Sequence, residues 1–210
     1  MILINCVQGS PEWLSARAGV ITASKFRDAV DCLKSGAPSA KSTLYAAQVA
    51  IERISEEPCE EGFNSWQMKR GQELEPAARM AYEARTGNLA SESGVVLTDD
   101  RLFGYSTDGL IEDDGLIEIK SLVSAIGVLE MWRTGDLSDY IHQIQGGMWL
   151  TGRKWCDFIM YAPQLKNVGK ELYYRRVMRD DAFIEKMEPQ LMAFAARVQE
   201  NEHVLRQQAA

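Results

Sequence analysis

The chain has 210 residues, 46% of them apolar and 25% charged, with a net charge of −7. That length supports one domain with a real core, and the acidic balance argues against a general nucleic-acid coat protein, which is normally basic. No apolar run approaches the ~18 residues of a membrane span, and the N-terminal MILINCVQGS lacks the basic region of a signal peptide; a cytoplasmic chain with no membrane partner is expected.

Ser10-Pro11 pairs an N-cap with proline at the first helical position, predicting a short helix to about Ala18 that carries Trp13, Leu14 and Arg17. Thr22 then caps a second helix, Ala23 to about Leu33, and Gly36-Ala37-Pro38-Ser39 breaks the chain. A third helix is expected over Lys41 to Ser55. Asn64 or Ser65 caps a fourth, which ends near Gly87 and puts Leu74, Ala77, Ala78, Ala81 and Tyr82 on one side; Gly71 and Pro76 weigh against its continuity. The period then changes. Gly94 to Thr98, Leu102 to Glu112 and Gly115 to Ser121 read as three strands. Helices follow over Ser124 to Arg133 and Ser138 to Leu150, then strands over Trp155 to Tyr161 and Leu172 to Val177, then a long helix from Asp180. This order predicts an α/β (α+β) fold, a mixed central β-sheet flanked by helices, in a single domain spanning residues 1–210.

Cys6, Cys32, Cys59 and Cys156 show no Cys-x-x-Cys spacing, which disfavours zinc and iron–sulfur sites. With His142 and His203 the only histidines, a histidine-rich metal site is excluded. The chemistry concentrates instead in Gly104 to Ser121, GYSTDGLIEDDGLIEIKS. Its Asp-Gly, flanked by apolar runs, signals a hairpin. Side chains alternate along a strand, so Glu118 and Lys120 share a face while Ile117 and Ile119 point the other way. Pairing across the hairpin brings Asp108 towards Glu118. Two carboxylates and an ammonium on a buried strand must be paired or coordinate a metal. Residue chemistry alone leaves two readings open, a metal-dependent phosphodiesterase and a structural ion pair.

Asp108…Glu118-Ile119-Lys120 resembles the motif of the PD-(D/E)xK nucleases. Three further segments resemble the lambda exonuclease (YqaJ-type viral recombinase) branch: Gln8 to Ser24, QGSPEWLSARAGVITAS; Gly71 to Pro76, GQELEP; and Tyr140 to Trp149, YIHQIQGGMW. They run in the family's order from residue 8 to about 165. One departure is Thr107, where the family often has proline.

The resemblance implies a restriction-endonuclease-like core in which Asp108 and Glu118, with the carbonyl of Ile119, hold Mg²⁺ or Mn²⁺, two ions sharing Asp108. It implies that Lys120 orients the attacking water or stabilises the phosphorane charge, and that Glu75, with Glu73 as rival, is a helical acid near the metals. Arg17, Ser24, Ser106 and Gln143 match the family's pocket for a 5′-terminal phosphate, with Gln145 a second candidate beside Gln143. Met68 aligns with an apolar wedge at the DNA end; Trp66 is the alternative. Trp13 reads equally as a neighbour of the terminal nucleotide and as core, and Trp132, Trp149, Trp155 and Tyr161 read as core. The implied activity is 5′→3′ exonuclease cleavage of linear double-stranded DNA, releasing 5′-mononucleotides and leaving 3′ overhangs for phage-type recombination. A homotrimeric ring and a single-strand annealing protein as partner are implied too. In such a ring Lys41, Lys69, Arg70, Arg133, Arg153 and Lys154 are candidates to line the channel. The alternatives are another nuclease of the same fold and a non-catalytic DNA-end-binding module.

Overall fold

The computed structural model describes residues 1–59 and 66–207, apart from the side chains of residues 67 and 68. The expected N-cap at Asn64 or Ser65 and the Met68 wedge therefore lie outside what is described. Strand β1 (Ile2–Ile4) leads into helix α1 (Pro11–Arg17), where the Ser10 hydroxyl accepts from the Trp13 N–H at 3.2 Å. Strand β2 (Ile21–Thr22) follows, then a 3₁₀ turn (Ala23–Lys25) and helix α2 (Phe26–Val30). The single helix expected over Ala23 to Leu33 is thus split and shortened. Helix α3 (Ala40–Ser55) starts at the Ser39 cap, and helix α4 (Trp66–Thr86) runs through Pro76 without a break.

The strand expected over Leu102 to Glu112 is two strands. Strand β3 (Val95–Leu97) pairs antiparallel with β4 (Phe103–Ser106), and β5 (Gly109–Ile111) pairs instead with β6 (Gly115–Lys120). Thr107 and Asp108 form the crossing. The Thr107 hydroxyl lies 2.9 Å from the Gly109 carbonyl and 3.2 Å from that of Ile117, and accepts from the Gly109 N–H at 3.2 Å. A side chain thereby ties down the bend.

After β6 come α5 (Ala125–Thr134), α6 (Ile141–Thr151), β7 (Trp155–Tyr161), a 3₁₀ segment (Pro163–Val168), β8 (Leu172–Met178) and α7 (Asp181–Arg206). Among the described residues the strands form two mixed four-stranded sheets, in the orders β1-β3-β4-β2 and β5-β6-β7-β8. In the second, β6 and β7 are parallel and the flanking pairs antiparallel. Ile111, Ile117, Ile119, Ile159 and Leu172 pack with Ala78 and Tyr82 of α4 on one face of that sheet. Leu116, Cys156, Phe158 and Met160 join α2, α3, α6 and α7 in the larger core on the other face. Alternation along β6 puts Glu118 and Lys120 on the face of Leu116, as the sequence predicts. Among the described residues, no helix is long and apolar enough to cross a membrane.

The hairpin closes with a three-residue loop in which Glu112, not a glycine, takes the left-handed φ of 45°. Gly115 serves a different need. A Cβ there would lie 2.3 Å from the Trp155 ring, so glycine is what admits that ring against β6.

Candidate active site

The break between β4 and β5 sets Asp108 beside the C-terminal half of β6. Its Oδ2 accepts from the Ile119 N–H at 2.6 Å. In an extended strand a residue's N–H and C=O project to the same side, so the Ile119 carbonyl also faces the Asp108 side, beyond the last β5 pairing at Gly109↔Ile117. Asp108 and Glu118 are 8% and 1% exposed. Burial, then the nearby Glu118 and Glu75, push the Asp108 carboxyl well above the ordinary aspartate range.

Three donors converge on Glu118. Lys120 Nζ donates to Oε1 at 2.8 Å, the Gln143 amide donates to the same oxygen, and the Tyr105 hydroxyl donates to Oε2 at 2.9 Å. Burial pulls the Lys120 ammonium down, but Glu118 and Asp108 outweigh it and the net shift is upward. Lys120 is therefore a cation at neutral pH, with protons left for a second acceptor.

Glu75 of α4 lines the same cavity, whereas Glu73 is exposed on another side of the helix. Glu75 is held by Arg79 at 2.9 Å, and Arg79 also pairs with Glu92 at 2.9 Å. Burial raises the Glu75 carboxyl; Arg79 opposes this, and Glu118 and Glu92 add to it.

On the other side, Arg17 Nη1 donates to the Ser106 hydroxyl at 3.1 Å, and Trp13 Nε1 donates to the same oxygen at 2.9 Å. The Arg17 guanidinium stacks 4.2 Å from the Trp13 ring centre, and its buried Nε has no hydrogen-bond partner among the described residues. Trp13 is buried, as its core reading expects, and its ring packs against the Arg17 guanidinium. Ser24 is exposed, its hydroxyl 3.3 Å from that of Thr22. One cavity of about 340 Å³ takes in Trp13, Arg17, Ser24, Glu75, Ser106, Asp108, Glu118, Ile119, Lys120 and Gln143. The cavity also recruits Gln8, Gln72, Ser121 and Leu122, none of which stands out in the sequence as chemistry. Gln145 faces away, donating to the Met178 carbonyl.

Among the described residues no group of three or more His, Cys, Asp or Glu side chains is placed to cage a metal. The donor set is two buried carboxylates and a carbonyl, all hard oxygens, under mutual repulsion. That set fits a Mg²⁺-sized ion, which takes one or two carboxylates and completes its shell with water and substrate phosphate.

Several cations expected to face DNA have partners within the chain. Arg153 Nη1 donates to the carbonyls of Ile111, Glu112 and Gly115, clamping the hairpin. Lys154 pairs with Asp114 and Arg133 with Glu130. Arg70 reaches the Ser121 carbonyl at the cavity rim, at 3.3 Å.

The model of the YqaJ-like viral recombinase domain matches residues 12–154. The fold is similar to the crystal structure of LHK-Exo, an alkaline exonuclease from Laribacter hongkongensis, at 36% identity with 94% of this chain and 97% of that chain covered and a TM-score of 0.82. It is similar to LHK-Exo in complex with dAMP at 34% identity, with 94% and 96% covered and a TM-score of 0.84. A phage-related exonuclease from Haemophilus somnus shares the fold at 15% identity, with 86% and 94% covered and a TM-score of 0.68. No curated protein matches the chain. A domain match over more than half of its length, with 36% identity to an exonuclease over nearly all of it, shows that the chain belongs to the YqaJ-like viral recombinase domain family, among nucleases of the alkaline exonuclease type.

Proposed function

We propose that the protein is a metal-dependent 5′→3′ exonuclease of linear double-stranded DNA, releasing 5′-mononucleotides and leaving 3′ single-stranded overhangs. The observation that carries this reading is the single cavity in which Arg17 and Ser106 stand beside Asp108, Glu118 and Lys120. Ser106 and Asp108 are two residues apart on one chain crossing, so an anion held by the first is at a fixed distance from chemistry at the second. The Arg17 fork suits phosphate oxygens, and its unpartnered Nε keeps a donor for one. The Gln143 amide has a second N–H beyond the one given to Glu118. That a relative is solved with dAMP, a 5′-mononucleotide, supports the product class.

In the cutting half, Asp108, Glu118 and the Ile119 carbonyl would hold Mg²⁺ or Mn²⁺, two ions on this reading. Bound there, the metal supplies a Lewis acid for the phosphate and lowers the pKa of a bound water. Lys120 stays protonated, orients the attacking water through a donated hydrogen bond and balances charge growing on the phosphate oxygens. Glu75 lines the cavity as the further acceptor. Arg17, Ser24, Ser106 and Gln143 hold the 5′ end, and Trp13 braces Arg17 from below. A homotrimeric ring and a single-strand annealing partner in recombination belong to the same proposal, as does action in the cytoplasm of a bacterial host. The test is nucleotide release from linear and covalently closed circular duplexes with Mg²⁺. Linear DNA should yield 5′-mononucleotides, closed circles should stay intact, and Asp108→Ala should abolish release. Efficient cutting of closed circles would show an endonuclease, and release by Asp108→Ala equal to wild type would remove the metal site from the chemistry.

A further inference from the structure

Tyr105 reads at first as a core residue: it is 1% exposed and sits in the large apolar cluster. Its hydroxyl nevertheless makes a specific contact, donating to Glu118 Oε2 at 2.9 Å. The two residues belong to different sheets, Tyr105 to β4 and Glu118 to β6. A phenol has one O–H to donate, and here it is spent on Glu118. Lys120 and Gln143 both use the other oxygen, Oε1. Tyr105 alone among these contacts addresses Oε2, and so sets the rotation of the carboxylate plane.

The sequence makes room for this. A Cβ on Gly147 of α6 would lie 2.7 Å from both Cε1 and Cζ of the Tyr105 ring. Glycine at that position lets α6 approach β4 closely enough to hold the ring in place. The neighbouring Gly146 does the same for Phe26, whose Cδ2 would lie 2.5 Å from an added Cβ. The Gly-Gly step of α6 therefore shapes two aromatic contacts, and one of them ends on a proposed metal ligand.

We infer that Tyr105, seated by Gly147, is a positioning residue that orients Glu118 for metal binding. This rests on the proposed metal site. A carboxylate held by an outer partner binds its ion in one geometry, and loss of such a partner typically weakens affinity by about 10–100-fold. Tyr105→Phe keeps the ring and its packing and removes only the oxygen. Mn²⁺ binding to the catalytically idle protein, measured by titration calorimetry in the absence of DNA, gives a readout separate from activity. Tyr105→Phe should raise the Mn²⁺ Kd about 10–100-fold with a cooperative melt retained, and raise the metal concentration needed for half-maximal rate more than it lowers kcat at saturating metal. Gly147→Ala should weaken Mn²⁺ binding too, and should add little in the Tyr105→Phe background, because both act through one hydroxyl. Glu118→Ala is the control. If it loses Mn²⁺ binding while Tyr105→Phe binds as wild type does, the positioning role is overturned and the metal site stands. If Glu118→Ala binds Mn²⁺ like wild type, the metal site and the inference fall together.

Discussion

Asp108 carries charge where the fold makes charge expensive. It is buried, faces Glu118 and Glu75, and has an elevated pKa for those reasons. An acid with a raised folded pKa binds more protons folded than unfolded, so its contribution to stability is full at low pH and is lost as pH rises through the raised value. Asp108→Asn removes that loss while its side-chain oxygen can still accept from the Ile119 N–H. In metal-free buffer the variant should melt above wild type at alkaline pH, and the difference should vanish as pH falls towards the ordinary aspartate range. Roughly 2–4 °C is expected for each 1 kcal/mol in a chain of this size. The variant should be inactive with Mg²⁺, a trade of function for stability. At this scale the sequence was readable where spacing carries chemistry. Asp108, Glu118 and Lys120 converge as their separation and strand alternation imply. Tyr105 was not readable, because a tyrosine in an apolar strand looks like core and its partner lies 13 residues away in another sheet.

At the scale of elements, the turn at Thr107 decides where the acid goes. The alternation of β4 and β5 runs on through residues 107 and 108, so the pattern reads as one strand although the chain changes sheets there. What marks the break is a hydroxyl satisfying backbone groups of Gly109 and Ile117, which periodicity does not record. Thr107→Val keeps the shape and removes those bonds, leaving the Gly109 N–H without the acceptor it has here. A loss of about 1–3 kcal/mol is expected, read by denaturant unfolding, with activity reduced further as Asp108 loses its setting. Gly146→Ala tests α6 in the same way. Its Cβ would meet the Phe26 ring, and overpacking of this kind costs about 1–3 kcal/mol. The short strands β1 and β2 escape the sequence reading because three and two residues are too few to display a period. Long helices with cap residues, such as α3 after Ser39 and α7 after Asp180, do not.

For the molecule as a whole, the net charge of −7 has to be reconciled with a polyanionic substrate. Arg153 is held by carbonyls of the hairpin, Lys154 and Arg133 are in exposed ion pairs, Lys41 and Lys69 are exposed and Arg70 is at the rim. Phosphate contacts release counterions, so the rate at limiting DNA should fall about tenfold or more between roughly 50 and 200 mM salt. A rate indifferent to salt would mean that backbone contacts contribute little. The proposed direction of digestion rests on residues far apart in the sequence. Arg17, Ser106 and Gln143 come from α1, β4 and α6, and only the folded cavity shows that they share a wall with Asp108. The most direct test is therefore the rate of digestion of linear duplexes that differ only in carrying a 5′-phosphate or a 5′-hydroxyl. Wild type should prefer the phosphate by about 10–100-fold, the size of one or two charge-assisted hydrogen bonds, and Arg17→Ala should abolish the preference. Equal rates on both ends in the wild type would contradict the account.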